Sequence, residues 1–166
     1  DCVASMVAFG LLLSKLEKRS YITACAEINE NFQYLLNICK YNSITVIENC
    51  SEVPDEIRSM IILDTPKPAM LMQSPSTSKL FADPQIRRIE LDHHLEADSS
   101  YCGDPGYRLV DEASSTCELI GFLAFKLRNR KELFPAYRGV KIFSRNFVLA
   151  VLTGIIGDSK MGKYLK

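Results

Sequence analysis

The apolar and polar positions of this chain switch between two periods, and the switches mark its elements. Ser5 to Arg19 is almost wholly apolar until "SKLEKR", which predicts a buried helix whose last turn surfaces with cations suited to its C-terminal dipole. Tyr21 to Ala26 alternates weakly and predicts a strand. "NENFQYLLNICKYN" carries apolar residues at helical spacing from Glu30 to Lys40, and "SITVIE", Ser43 to Glu48, reads as a short strand. "MIILDT" (Met60 to Thr65) and "IRRIELD" (Ile86 to Asp92) then repeat one shape: apolar or β-branched residues running into an aspartate. The segment between them, "TPKPAMLMQSPSTSKLFADP", is rich in proline and serine and predicts a loop or a broken helical connection. Ser114 to Lys131 is a capped amphipathic helix, with Ser114 or Ser115 as N-cap and Glu118 within reach of a capping box. Ser144 to Gly157 predicts a last, largely buried helix.

Short apolar strands alternating with helices of ten or more residues predict an α/β fold: a mainly parallel β-sheet flanked by helices on both faces. No internal repeat or low-complexity tract breaks the chain, so residues 1–166 read as a single domain. In parallel sheets ligands bind beyond the carboxyl ends of the strands, which directs attention to the two aspartate-terminated runs.

Composition narrows the function. Twenty Lys plus Arg balance twenty Asp plus Glu in 166 residues, so no overall positive field would hold a long polyanion. A nucleic acid ligand should be short, or held by another domain. Apolar runs such as "MVAFGLLL" and "FVLAVLTGIIG" fall short of the ~20 residues a membrane span needs, and neither a transmembrane segment nor a signal peptide is expected. Six cysteines (Cys2, Cys25, Cys39, Cys50, Cys102, Cys117) are scattered without a CxxC pair, which suits reduced thiols in a cytoplasmic protein better than a disulfide framework or a zinc site. The chain opens "DCVASMVAFG" and closes "GDSKMGKYLK", and both ends are expected to be cut from something longer.

The candidate chemistry sits at strand ends. Asp64 follows "MIIL", Asp92 with His93 and His94 follows "RIEL", Asp158 follows "TGIIG", and Asp1 stands before a buried helix. Carboxylates with one or two imidazoles at one sheet edge are a donor set for Mn²⁺ or a similar divalent ion. Taken singly, each has a plainer reading. A strand-end Asp is more often a turn or cap residue, Asp1 can cap its helix, and an exposed His pair is usually solvated surface. The doublet weighs against that, because both histidines of the chain adjoin each other and an aspartate at the end of one apolar run.

The strings themselves resemble a known family. "LDHH" behind a strand is similar to the signature of the DHH phosphoesterase superfamily, which includes the RecJ exonuclease, nanoRNase/pAp phosphatases, cyclic-dinucleotide phosphodiesterases and family II pyrophosphatases. "DCVASMVAFGLL" resembles the second half of that family's first motif, "ILDT" its second, "LDHH" its third, "ASSTCELI" the helix start that follows, and "LTGIIGDS" its fourth. The five stand in the family's order over the full length.

That resemblance implies a truncated catalytic DHH domain and a set of roles. Asp64 would bridge two metal ions, with Asp1, His93 and Asp158 completing one of them. His94 would be catalytic, facing the substrate phosphate or donating a proton to the leaving oxygen, with Asp92 orienting a histidine from behind. Ser115 and Lys160 join His94 as substrate-binding candidates; Lys160, with Lys163, can equally be a solvated chain end. The expected cofactor is Mn²⁺, two ions in the intact protein, with Mg²⁺ or Co²⁺ as substitutes. Such ions activate water and neutralise phosphoryl charge, so no cysteine or serine nucleophile is required. The family's first motif opens with a His and an Asp on a central strand upstream of Asp1, and its smaller C-terminal substrate-binding domain follows the last motif; neither is in this sequence. The expected activity is hydrolysis of small nucleotide phosphoesters: short oligoribonucleotides, pAp or dinucleotides. A pyrophosphatase or polyphosphatase of the same superfamily, or a degenerate nucleotide-binding or regulatory module, are the competing readings. The expected partner is a small nucleotide or short oligonucleotide, with no membrane and with a homodimer allowed.

Overall fold

A computed structural model describes residues 1–24, 28–48, 53–72, 74–95, 99–130, 132 and 139–160. Its elements are α1 (Cys2–Lys15), β1 (Tyr21–Ala24), a 3-10 turn (Glu30–Phe32) leading into α2 (Gln33–Tyr41), β2 (Thr45–Glu48), β3 (Ser59–Leu63), α3 (Pro68–Leu71), α4 (Pro75–Ala82), β4 (Arg87–Asp92), β5 (Arg108–Val110), α5 (Thr116–Asn129) and α6 (Arg145–Asp158). The protein is α/β with parallel sheets flanked by helices. No helix among the described residues is long and apolar enough to cross a membrane. Cys2, Cys39, Cys102 and Cys117 are free thiols; Cys25 and Cys50 lie outside the described residues.

Local chemistry explains the helix starts. Ser74 caps α4 by accepting from Thr77 N–H, with Pro75 in the first turn, where a missing N–H costs nothing. The broken connection between β3 and β4 is therefore two short helices. Ser144 caps α6 by accepting from Phe147 N–H. At α5 the expected capping box is spread over two serines. Ser115 Oγ accepts from Glu118 N–H at 3.1 Å, while Glu118 Oε2 accepts from both the N–H and the hydroxyl of Ser114, at 2.7 and 2.6 Å.

The strands differ from expectation in two ways. β3 pairs with β4 in parallel, Ile61 opposite Ile89 and Leu63 opposite Leu91, so both aspartate-terminated runs end at one edge. They do not join β1 and β2, which pair only with each other in a second parallel sheet. A cavity of about 580 Å³ lies between the two sheets. It is bounded by Tyr21 and Ile22 of β1 and by Ser59 and Ile61 of β3, and α1 covers it through Met6 and Phe9. The single sheet is thus divided at its middle. The second difference is β5, three residues too short to show any period. It forms because β4 has a free edge on which Leu109 can pair opposite Leu91.

One core unites the helices with the three-stranded sheet. Val7, Ala8, Leu11 and Leu12 of α1 are buried against Phe147 and Ala150 of α6 and Ile120 and Ala124 of α5, with Leu63 and Leu91 contributed by the strands. Because side chains alternate along a strand, Ile62, Glu90 and Asp92 occupy the opposite face. There Arg88 stacks on Phe81 of α4.

Candidate metal centre

The candidate acids and imidazoles converge where β3 and β4 end and three helices begin or finish. Asp64 is the first residue past β3, and its N–H donates to Leu91 O across the sheet at 3.2 Å. Its φ is +53°, a left-handed conformation that aspartate tolerates better than most residues. Asp92 closes β4, and His93 and His94 follow it out of the strand.

The two histidines are held differently. His93 Nδ1 lies 3.3 Å from Ala113 O, and since a carbonyl only accepts, Nδ1 carries the proton and leaves Nε2 as a lone-pair nitrogen. That Nε2 sits 3.4 Å from Asp64 Oδ1 and 3.4 Å from Asp158 Oδ2, yet it is buried without a hydrogen-bond partner. His94 instead leans on Asp92. Asp92 Oδ1 accepts from His94 N–H at 3.1 Å and from Nδ1 at 2.6 Å, and the Asp92 side chain is fully buried. With Nδ1 engaged, Nε2 of His94 is the nitrogen left for a ligand.

Asp1 precedes α1 but does not cap it with its side chain. Its Oδ2 accepts from Thr116 N–H at 2.6 Å, at the start of α5, while Oδ1 is buried without a partner. The capping alternative for Asp1 is thereby set aside. Thr116 also donates its hydroxyl to Asp64 Oδ1 at 3.2 Å and so ties two of the acids together. Thr116, rather than the expected Ser115, is therefore the residue of this helix start that touches the acids. Ser115 is fully buried, with its hydroxyl occupied as the N-cap, and it is the next residue that reaches the acids. The available signal was that a first-turn residue presents both its N–H and its side chain at a helix N-terminus. Gly154 of α6 completes the packing: a Cβ there would overlap Cys117 Sγ and Asp1 Oδ1 and lie 2.6 Å from Cys117 Cβ. Lys160 occupies the exposed turn after α6 with φ +46°, and Lys163 lies outside the described residues.

Two overlapping groups could hold a metal ion: Asp64, Asp92, His93 and His94, and Asp1, His93 and Asp158, each with donor atoms within 4.8 Å of one another. The fit does not rest on acidity alone. Asp1 Oδ1 and His93 Nε2 are buried polar atoms with no partner, a costly arrangement that an ion between them would relieve.

Without metal the site is held by charge. The facing Asp64 carboxylate, against the opposing effect of burial, raises the His93 pKa above its ordinary value, helped by Asp158. Burial alone would raise Asp64, but His93, the amino group of Asp1 and His94 together outweigh it and hold the carboxyl below its usual range. The stability contributed by His93 is fully present below its unfolded pKa and is lost as pH rises through its raised folded pKa. That of Asp64 is present above its unfolded pKa and lost as pH falls through its lowered one. The contribution is therefore largest from about pH 4 to 6.5. In chelator-treated protein the unfolding midpoint should decline from pH 6.5 upward through neutrality, and His93→Gln should flatten that decline. An unchanged slope in the variant would contradict the pairing.

Comparison with family models, with curated proteins and with solved structures returned no match, so any reading of function stands on these residues and their geometry.

Proposed function

We propose that this chain carries the catalytic part of a Mn²⁺-dependent phosphoesterase of DHH type that hydrolyses small nucleotide phosphoesters, namely short oligoribonucleotides, pAp or dinucleotides. The observation that carries the reading is His93 Nε2, a buried nitrogen 3.4 Å from two carboxylates and bonded to neither. Asp1, Asp64, His93 and Asp158 would hold the ion, a hard-oxygen set with one imidazole that suits Mn²⁺. When bound, such an ion lowers the pKa of a water and neutralises charge on the phosphoryl group.

The protein's own groups then have distinct tasks. Asp92 holds Nδ1 of His94, so that in the imidazolium form Nε2–H can donate to a phosphate oxygen or protonate the departing one. Thr116 and the Ala113 carbonyl hold Asp1, Asp64 and His93 in place. Burial pushes the thiols of Cys102 and Cys117 up to about 12, which keeps them protonated and poor nucleophiles near neutral pH. The balanced net charge fits short substrates.

The test is a panel of pAp, a short RNA, a cyclic dinucleotide and pyrophosphate offered to the full-length protein with Mn²⁺. Hydrolysis of a nucleotide substrate is expected, abolished by EDTA and restored by Mn²⁺. Turnover that survives EDTA would overturn the metal reading. Cleavage of pyrophosphate alone would transfer the chain to the pyrophosphatase alternative.

A further inference from the structure

Glu90 is the odd residue of β4: a carboxylate with no exposed surface, on the strand that leads into the histidines. A buried acid is costly unless it is bonded. Its Oε2 accepts from Gly103 N–H at 2.7 Å, with Arg108 Nε at 3.9 Å, while Oε1 has no partner. Arg108 Nε in turn donates to Gly103 O at 2.7 Å, so both backbone groups of Gly103 are engaged. The approach is close enough to demand glycine, because a Cβ at position 103 would lie 2.7 Å from Glu90 Cβ and 3.1 Å from its backbone nitrogen.

Residues 99–104 therefore lie as a strap against the sheet face that carries Ile62, Glu90 and Asp92. At its end Asp104 exchanges bonds with Arg88 of β4, its N–H donating to Arg88 O at 2.9 Å and its Oδ2 accepting from Arg88 N–H at 3.0 Å, and the remaining attachments fall on the turn after β3. Ser100 N–H donates to Pro66 O at 2.9 Å, Ser99 Oγ donates to the same carbonyl at 3.3 Å, and the buried Cys102 thiol donates to Thr65 O at 3.2 Å. The two residues directly after Asp64 thus have their carbonyls held by one segment. Asp64 itself adopts φ +53°, a conformation that persists only where the surroundings enforce it.

We infer that Glu90 and Cys102 are positioning residues: Glu90 pins the strap through Gly103, and Cys102 transmits that constraint to Thr65, holding Asp64 in the left-handed turn that presents its carboxylate beside His93. This rests on the metal-site reading above for its consequence, though not for its geometry. Neither side chain reaches the ion. Their effect is on the backbone that carries a ligand, as for outer partners of metal ligands generally, whose loss typically weakens metal binding about 10–100-fold.

The experiment measures Mn²⁺ affinity and amide hydrogen exchange at Asp64 and Ser100 in the chain carrying Cys102→Ala, Cys102→Ser or Glu90→Leu. Cys39→Ala, a thiol equally buried but on α2, serves as the control for a general packing defect. Cys102→Ala should weaken Mn²⁺ binding by about tenfold or more and speed exchange at Asp64 and Ser100, and Cys102→Ser, which keeps a donor, should restore both. Glu90→Leu, which removes the acceptor at similar volume, should move both readouts in the same direction and covers the case in which Cys102→Ala does not fold. Cys39→Ala should lower the unfolding midpoint without touching either. Wild-type affinity and wild-type exchange in Cys102→Ala and Glu90→Leu would overturn the inference. If the unsubstituted chain binds no Mn²⁺, the metal reading fails, and the exchange measurements on metal-free protein still decide the strap.

Discussion

Asp64→Asn is expected to abolish measurable Mn²⁺ binding and to lower phosphoester hydrolysis by about 10³-fold or more while leaving the protein folded. The first half follows from charge. Asp64 Oδ1 lies 3.4 Å from His93 Nε2, within one of the two groups that could take an ion, and an amide oxygen supplies a far weaker ligand than a carboxylate. Several kcal/mol of transition-state stabilisation come from such ions, and each ~1.4 kcal/mol is tenfold in rate. The second half follows from shape. Asparagine tolerates the left-handed φ of +53° as aspartate does, and its carbonyl oxygen can still accept from Thr116 Oγ1. Circular dichroism and unfolding should therefore change little while calorimetric Mn²⁺ titration and turnover collapse. Intact turnover in a folded Asp64→Asn protein would remove Asp64 from the centre.

The second large effect is expected at a residue with no functional side chain. Gly154→Ala adds one methyl group where Cys117 and Asp1 already fill the space, with Cys117 Cβ only 2.6 Å away. Overpacking of this kind costs about 1–3 kcal/mol, against a gain in helix propensity of about 1 kcal/mol for replacing glycine. The net expectation is a lowered unfolding midpoint, joined by a loss of Mn²⁺ affinity of tenfold or more because Asp1 must move off its bond to Thr116 N–H. Gly157→Ala on the same helix is the internal control. Nothing lies within 4 Å of a Cβ there, so it should stabilise by about 0.5–1 kcal/mol and leave metal binding alone. Equal midpoints and equal affinities for the two variants would show that Gly154 is not a packing requirement of the site.

Part of this centre is written in the local pattern of the chain and part is not. Asp64, Asp92, His93 and His94 were legible because strand periodicity ends at an acid twice, and because parallel strands bring such ends to one edge; Asp158 closes α6 rather than a strand, and only the packing of that helix brings it to the same edge. Asp1 was legible as a candidate, but its direction was not: a residue before a helix is by default a cap, and only the placement of α5 turns its carboxylate to Thr116 N–H. Thr116, Gly154, Glu90 and Cys102 gave no comparable signal. Their roles depend on contacts between residues distant along the chain: Thr116 with Asp64, Gly154 with Cys117 and Asp1, and Cys102 with Thr65. Nor could β5 be seen, since three residues show no period and only the free edge of β4 makes them a strand.

By itself, then, the sequence determined the α/β class, the positions of the principal helices and the two acid-terminated strands, because hydrophobic period, capping serines and prolines act within a few residues of themselves. The tertiary structure alone decided which acids face His93, that the strands divide into two sheets around a cavity, and that a glycine and a strap shape the centre. Distances between remote side chains are set by how helices and strands pack, and packing is a property of the whole chain that no local pattern records.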